Sequence, residues 1–188
     1  MKFKALIIPL AVITLLSVGC GRTNNTNESN PDSNKTETDK NGGNVDTVTA
    51  PSRVTDEAKL LKAVNESWIV ILENDVATSK DIVLESGFQK TDKDNKKVDT
   101  SRVVALYKSN DSNEKIADYT LTVPKLTIKD ENAKVEGGTI KGDVYIEAKN
   151  VKLEGTTIDG NVYFNNEEEQ STFHMDEASK VTGVMEIK

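Results

Sequence analysis

Residues 133–146, AKVEGGTIKGDVYI, and residues 151–164, VKLEGTTIDGNVYF, are near copies of each other. Shifted by 18 positions, they share lysine, glutamate, glycine, threonine, isoleucine, valine and tyrosine at Lys134/Lys152, Glu136/Glu154, Gly137/Gly155, Thr139/Thr157, Ile140/Ile158, Gly142/Gly160, Val144/Val162 and Tyr145/Tyr163. Self-similarity at a fixed short period is typical of repeat architectures, in which each unit buries its apolar face on the next unit.

The apolar residues of each copy alternate with polar ones, which is the periodicity of a β-strand. Eighteen residues are too few for a strand, a helical crossover and a return strand, which together need about 30 residues. The period therefore predicts one turn of a parallel β-helix with three short faces. The inward, stacked positions are predicted to be Val135/Leu153, Ile140/Ile158, Val144/Val162 and Ile146/Phe164.

A third and looser copy follows at residues 173–187, with residues 165–170 predicted as an inserted loop. In this copy Phe173 and Met175 take the places of Val151 and Leu153, and Met185 and Ile187 take those of Val162 and Phe164. A small antiparallel sheet of hairpins is the alternative. Hairpins also produce alternation, but they do not by themselves predict a repeat that preserves glycine positions.

The chain before the repeats predicts a helix that starts at Thr55–Glu57, with Thr55 as the capping residue, and ends near Asn65. Apolar runs then predict strands at residues 68–72, 82–84, 103–107 and 119–123. A short amphipathic helix leading into such strands resembles the capped N-terminus of pectate-lyase-like right-handed β-helices. The expected fold of residues 53–188 is all-β, a right-handed parallel β-helix with a short N-terminal capping α-helix. An independent helical linker is the alternative for the helix.

The glycine-punctuated pattern GTIKGDVYI and GTTIDGNVYF also resembles the repeats of bactofilins, the polymer-forming bacterial β-helix proteins. The resemblance covers residues 121–188 and implies the same solenoid fold. Bactofilins are typically cytosolic and have many uniform repeats. This chain has three such repeats and an export signal, so we do not expect end-to-end polymers.

The N-terminus has a basic start, an uncharged apolar run from Ala5 to Val18, and then Gly19-Cys20. This pattern indicates a secretory signal peptide over residues 1–19, because the apolar run is too short for a membrane span. The single cysteine, Cys20, would become the first residue after cleavage. The junction resembles the lipobox of bacterial lipoproteins, which implies diacylation of Cys20. An ordinary signal peptide with a coincidental cysteine is the alternative.

Residues 20–52 are rich in Asn, Thr, Ser, Asp, Lys and Gly, a composition that predicts a disordered, lipid-anchored linker. The net charge is −7, and it becomes about −9 once residues 1–19 and their two lysines are removed. Such an acidic chain does not favour nucleic acid or anionic lipid as a partner. With one cysteine, the exported domain has no intramolecular disulfide.

Few residues of the chain suggest catalysis. The single histidine, His174, is predicted to point outward, and no second histidine or nucleophilic cysteine is available to pair with it. The acids at Glu167–Glu169 are interpreted as a solvated loop, with calcium binding as the alternative. We predict no cofactor and no enzyme activity. A polysaccharide lyase or hydrolase is the enzymatic alternative for a β-helix.

The candidate ligand residues are the outward tyrosines Tyr145 and Tyr163 with the neighbouring Thr139 and Thr157. Outward aromatic rings beside hydrogen-bonding groups suit sugar rings or an apolar edge of a partner, and the alternative is a ladder that only stabilises the strands. The sequence thus predicts a lipid-anchored, extracytoplasmic envelope protein that is a binding or structural module. Its expected partners are the membrane, through Cys20, and either cell-wall polysaccharide or another envelope protein.

Replacement of Cys20 with alanine removes the only thiol that can accept the acyl chains. We expect the Cys20→Ala variant to lose all lipid labelling and to accumulate as an unprocessed precursor. Metabolic labelling with a radioactive fatty acid, read beside an immunoblot of the same cells, measures both effects. Normal labelling of this variant would contradict the predicted anchor.

Overall fold

The computed structural model describes residues 51–188. The predicted signal peptide, Cys20 and almost all of the predicted linker lie outside these residues. The described part consists mostly of short strands, in chain order β1 Ser52–Val54, β2 Ile69–Leu72, β3 Val76–Ala77, β4 Ile82–Leu84, β5 Gln89–Thr91, β6 Lys97–Asp99, β7 Val103–Ala105, β8 Tyr107–Ser109, β9 Lys115–Asp118, β10 Thr120–Ile128, β11 Lys134–Glu136, β12 Thr139–Ile146, β13 Lys152–Glu154, β14 Thr157–Asp159, β15 Val162–Phe164, β16 His174–Met175, β17 Lys180–Val181 and β18 Met185–Ile187. Its two helices are α1 Glu57–Glu66 and α2 Glu167–Thr172.

Two parallel sheets form the body of the described region. The first has the strand order β1-β2-β7-β11-β13-β16. The second has the order β17-β14-β12-β10-β3, with β15 and β4 also paired to β12 and β10, and β18 paired to β15. Two antiparallel hairpins, β5-β6 and β8-β9, extend from this body. The predicted all-β class, with parallel pairing between repeats, is confirmed.

The pairing register reproduces the period of the sequence. Lys134 pairs with Lys152 between β11 and β13, Ile140 with Ile158 between β12 and β14, and Tyr145 with Tyr163 between β12 and β15. Each of these pairs is separated by 18 residues. The third repeat joins in the predicted alignment, with Met175 on Leu153, Val181 on Ile158, Met185 on Val162 and Ile187 on Phe164.

The core is a continuous column of apolar side chains from paired strands. All eight predicted inward residues of the first two repeats are buried, with Val135, Ile140, Ile158 and Val162 completely so. The column continues through the earlier strands to Val54 in β1. A one-residue slip in any pairing would turn these side chains to the opposite face, so burial on one face specifies the register.

Three glycines account for the close backbone approach at one corner of the repeats. A Cβ added to Gly160 would collide with the carbonyl of Gly142, and one added to Gly183 would lie 2.6 Å from the carbonyl of Gly160. Gly142 also has a positive φ of 142°. Only glycine can adopt the backbone conformation of Gly142 and allow the close contacts at Gly160 and Gly183. These requirements explain why each repeat has glycine at this position.

Helix α1 begins one residue later than the sequence indicated. Asp56, and not Thr55, is the N-cap, because the Lys59 amide donates to Asp56 Oδ1 at 2.9 Å. Thr55 donates its hydroxyl to the same carboxylate. The buried face of α1 is formed by Leu60, Ala63 and Val64, which belong to the same core as the strands of the sheets.

Two segments that contain none of the predicted helix or strands have regular structure. Residues 89–101 include the hairpin β5-β6, and the acidic stretch after β15 contains helix α2. Asn166 caps α2 by accepting from the Glu169 amide, and the Glu169 carboxylate accepts in return from the Asn165 amide at 2.9 Å. Because this reciprocal pair satisfies amides that would otherwise lack partners, the acidic stretch becomes a helix.

Candidate functional site

The last repeat ends in three strands with a free side. β16, β17 and β18 each pair with a preceding strand, β13, β14 and β15 respectively, and with no later strand in the described part of the chain. We call this set of three strands, residues 174–187, the C-terminal edge. An unpaired edge presents a row of backbone donors and acceptors for another strand to bind.

The side chains of the C-terminal edge occupy core positions but are exposed. Met175, Met185 and Ile187 are 41%, 47% and 43% exposed, whereas their register partners are buried. Those buried partners are Leu153, Val162 and Phe164. The exposure therefore arises because no further layer formed by residues 51–188 stacks on these side chains, and not because they face outward from a sheet.

The backbone of the edge shows which groups are free. The His174 and Asp176 amides donate to the preceding layer, at the carbonyls of Val151 and Leu153. Since alternate residues of a strand direct their backbone groups to opposite sides, the N–H and C=O of Met175 lie on the free side. Met175 therefore has both an exposed apolar side chain and free backbone groups.

Two further amide bonds fix the free side of the other strands. Lys180 and Thr182 donate to the layer beneath β17, so the backbone groups of Val181 are free. In β18 the Lys188 amide donates to Phe164, which leaves Ile187 with its backbone groups directed away from the body.

At the opposite end of the two sheets, the apolar side chains are not left exposed. Helix α1 lies there and packs against β1, β2, β3 and β4, and it adds its own apolar face to the core. Of the five large apolar side chains that are exposed in residues 51–188, four belong to the last repeat and one, Ile116, to the β8-β9 hairpin. The apolar surface of the described region is thus concentrated at the C-terminal edge.

The two candidate tyrosines form the predicted stack. The ring centroids of Tyr145 and Tyr163 are 4.9 Å apart, and their planes are inclined by 47°. Lys125 Nζ lies 4.2 Å from the centroid of Tyr145, and Lys188 Nζ lies 3.3 Å from that of Tyr163. Cations over aromatic faces are attracted by the ring quadrupole. The close approach to Tyr163 raises the pKa of Lys188.

This packing leaves little aromatic surface for a ligand. Tyr163 is only 7% exposed, because Lys188 and the neighbouring strands cover the ring. Tyr145 is partly buried. The role of the pair as a ligand platform stays a prediction, and the geometry favours the alternative of a stabilising ladder.

Thr139 and Thr157 pair in register, but they lie on a different strand pair from the tyrosines. The threonines belong to the β12-β14 pairing and the tyrosines to the β12-β15 pairing, on either side of Gly142. A parallel polar track lies on the first sheet, where Lys134 Nζ is 3.2 Å from Glu154 and 3.3 Å from Glu136. The hydrogen bond that Lys134 donates to the Glu154 carboxylate is the main cause of the raised pKa of Lys134.

The other chemical candidates are separated from one another. His174 is exposed and lies in register with Lys152. Glu167 and Glu168 are exposed on α2, whereas Glu169 is buried by its capping role. Within residues 51–188, no group of three or more His, Cys, Asp and Glu side chains is arranged to hold a metal ion. No helix in that range has both the length and the apolar character needed to cross a membrane.

Arg102 is a buried charge that the sequence analysis did not identify. Its side chain is completely buried, and Nη2 donates to the Val64 carbonyl at 2.9 Å, while Nε and Nη1 have no protein partner. The guanidinium carbon lies 4.5 Å from the Phe88 ring centroid. Burial lowers the pKa of Arg102 to about 10, although the nearby Asp130 acts in the opposite direction.

A sequence signal for Arg102 was present. It alternates with Val104 and Leu106, which are both buried, so period-2 alternation places residue 102 on the same inward face. Its place near the last turn of α1, where the helix carbonyls carry partial negative charge, makes Arg102 a connection between α1 and the sheets.

Searches for similar protein families, similar curated proteins and similar solved structures found no match to this chain.

The tyrosine ladder yields a prediction for stability. Tyr145→Ser with Tyr163→Ser removes two stacked and largely buried rings, so we expect the free energy of unfolding to fall by about 3–5 kcal/mol or more. The matched control, Tyr145→Phe with Tyr163→Phe, keeps both rings and should lose about 1 kcal/mol or less. Urea denaturation followed by circular dichroism measures both. An equal loss in the two double variants would mean that ring packing is not what the pair contributes.

Proposed function

We propose that this chain is a non-enzymatic, lipid-anchored protein of the bacterial cell envelope, and that its C-terminal edge is a docking surface. The observation that carries the proposal is the exposure of Met175, Met185 and Ile187 at positions whose register partners are buried. A layer whose inward side chains are in place, and on which no other strand of residues 51–188 stacks, suits a partner that supplies strands and apolar side chains.

The finer fold assignment belongs to this proposal. A right-handed parallel β-helix, with α1 as its cap, is supported by the repeated order of short strands and by the 18-residue register between the first two repeats. It is also supported by the position of α1 at the end of the sheets where β1, β3 and β4 are located. An open solenoid end exposes its core, so a helix that adds its apolar face there has the role of a cap.

The proposed anchor and the proposed docking surface belong to different parts of the chain. In the first sheet β1 is the outermost strand on one side and β16 on the other. The proposed lipid on Cys20 lies outside the described residues, whereas the docking surface is the last repeat. A lipid-anchored chain with such a surface suits a module that is held at the extracytoplasmic face of a membrane and binds a partner there.

Carboxylates of the last repeats support a structural role in place of catalysis. Asp143 accepts from the Asn161 amide at 3.0 Å, and Asp176 accepts from the Gly155 amide at 3.0 Å. Asp118 does the same for Gly138. These acids satisfy backbone donors between layers, which is the task of a corner residue in a repeat protein. The alternative of polysaccharide binding or cleavage has less support, since Tyr163 is covered.

A photo-crosslinking amino acid at position 184 tests the docking surface in cells that produce the full chain. Val184 is 52% exposed at the C-terminal edge, and Ile116, the matched control, is 56% exposed on the β8-β9 hairpin. We expect ultraviolet light to give a discrete crosslinked product from position 184 and none from position 116. Absence of a product from position 184, or the same products from both positions, would contradict the proposed function.

A further inference from the structure

We propose that a cavity at the base of the hairpin β5-β6 is a binding site for a single sugar ring. The cavity lies between residues 86–88 and 99–101 at the hairpin base and residues 129–132 in the turn from β10 to β11. We call it the corner cavity. Its volume of about 610 Å³ lies within the range of about 300–1,000 Å³ that is usual for ligand pockets. It shares no residue with the C-terminal edge, so the inference is independent of the proposed docking function.

The hairpin is an insertion at one corner of the repeated strands. In the later layers this corner is a short turn, formed by residues 129–133 between β10 and β11 and by residues 147–151 between β12 and β13. In the layer before them the connection from β4 to β7 is residues 85–102, which contain β5-β6. The corner cavity forms where this longer connection meets the next turn. Insertions in single repeats commonly form binding surfaces.

Two ionisable side chains replace apolar core residues at this corner. By the register of β7, β11 and β13, Arg102 occupies the position of Ala133 and Val151. By that of β10 and β12, Asp130 occupies the position of Ala148. All five residues are buried. Buried charges are often no more stabilising than apolar residues of similar size, so Arg102 and Asp130 indicate a role other than stability.

Asp130 supplies a free acceptor to the corner cavity. It lines the cavity, and it is only 3% exposed. Its Oδ1 accepts from the Arg102 amide at 3.0 Å, whereas Oδ2 has no hydrogen-bond partner among residues 51–188. The fully buried side-chain atoms without a partner in that range are both on Arg102, so Oδ2 is accessible from the cavity. A largely buried carboxylate oxygen of this kind is stabilised by a ligand that donates a hydrogen bond to it.

Phe88 supplies an aromatic wall that Arg102 holds in place. The Phe88 ring is half-buried and lines the corner cavity, and its centroid lies 4.5 Å from the Arg102 guanidinium carbon. The Thr100 amide donates to the Phe88 carbonyl at 3.0 Å and fixes the hairpin base. Arg102 therefore positions both the ring, through its guanidinium, and Asp130, through its amide. Such support from behind a site preorganises the groups that contact a ligand.

The remaining wall of the corner cavity offers hydroxyl and amide groups. Ser86, Thr100, Ser101 and Asn132 line it, and their side chains make no hydrogen bond within residues 51–188. Hydroxyl and amide groups can both donate and accept hydrogen bonds. A sugar ring has hydroxyl groups with the same capacity and a face of C–H groups that can pack on an aromatic ring. The combination of Phe88, Asp130 and these groups therefore suits a sugar ring.

The charges at the corner cavity argue for a neutral ligand. Asp99, Asp130 and Glu131 line the cavity and repel an anion. The positive charge of Arg102 favours the ionised form of Asp130, so it opposes a further cation at that place. The described residues also form no cluster of three acids or other ligands that could hold a metal ion. A neutral, hydroxylated ring uses the acceptor on Asp130 without adding charge.

A titration followed by NMR tests for the ligand. The ¹⁵N-labelled full chain is kept in a polyoxyethylene detergent, which has no sugar headgroup, and glucose, galactose and N-acetylglucosamine are added separately. We expect at least one of these sugars to shift the amide signals of Gly87, Ser101 and Asn132 in a saturable way. The amide of Ile116, on the β8-β9 hairpin, is the control and should not shift. No saturable shift at the corner cavity with any of the three sugars would overturn the inference.

Two further probes identify the source of the ring and the competing ligand class. Tetrasaccharides of the same sugars are compared with the free sugars. Tighter binding of a tetrasaccharide supports a ring that belongs to a glycan, and equal binding supports a free sugar. Butylammonium is the cationic probe. Binding of butylammonium at the corner cavity, without binding of any sugar, would overturn the inference.

Two substitutions test the residues that would contact the ring. Phe88→Leu keeps an apolar side chain over Arg102 and removes the aromatic wall, and Asp130→Asn keeps an acceptor for the Arg102 amide and removes the free carboxylate oxygen. We expect each to raise the Kd of the bound sugar at least about tenfold. Glu167→Gln, an exposed change on α2, is the control and should leave the Kd unchanged. An unchanged Kd in both folded variants would contradict the proposed site.

A chemical block tests the cavity without a change in the core. Ser86 is exposed at the cavity wall, and Cys20→Ser removes the only natural thiol, so Ser86→Cys in that background gives one site for labelling. We expect this variant to bind the sugar before reaction with a bulky maleimide and to lose binding afterwards. Circular dichroism checks that the labelled protein is folded. Full binding by the completely labelled, folded protein would overturn the inference.

Discussion

The structure depends on the stacking of core side chains from one strand layer onto the next. Each layer contributes a small set of apolar residues, and each is buried only because another layer lies on both sides of it, as with Ile140 and Ile158. Burial of apolar surface stabilises the folded state by about 25 cal/mol for each Å² removed from water. The requirement for neighbouring layers explains the fixed register, the glycines at the close corner and the behaviour of the two ends.

The two ends meet this requirement in different ways. At one end α1 contributes Leu60 and Val64 to the same core as the strands. At the other end the last repeat keeps its core side chains, but they remain exposed. Evolution commonly protects such an edge with charge, proline or a covering element. The apolar residues at the C-terminal edge suit an interface, and their concentration there sets the proposed docking function.

The repeat could be predicted from the sequence because identical residues at a fixed spacing carry the register directly. Ile140 and Ile158, for example, had to pair once the period was known. The hairpin β5-β6 could not be predicted, because Gln89–Thr91 are exposed and leave no alternation of apolar residues. Thr55 and Asp56 are both good capping residues, and the choice between them depends on where the backbone turns into the helix.

The free edge could not be predicted either, since alternation shows which side chains point inward but not whether another layer covers them. Met175 and Ile187 were correctly placed inward, and their exposure required the three-dimensional structure.

Hydrogen exchange at the C-terminal edge tests most directly whether the last repeat is a layer that a further layer completes. The amides of Met175, Val181 and Ile187 lie on the free side, whereas those of His174, Lys180 and Lys188 are already bonded to the preceding layer. Exchange is compared between the full chain in a whole lysate of the cells that produce it and the same chain purified and kept at high dilution. The account predicts that the first set exchanges quickly at high dilution and becomes protected in the lysate, while the second set changes little. Fast exchange of the first set under both conditions would contradict it.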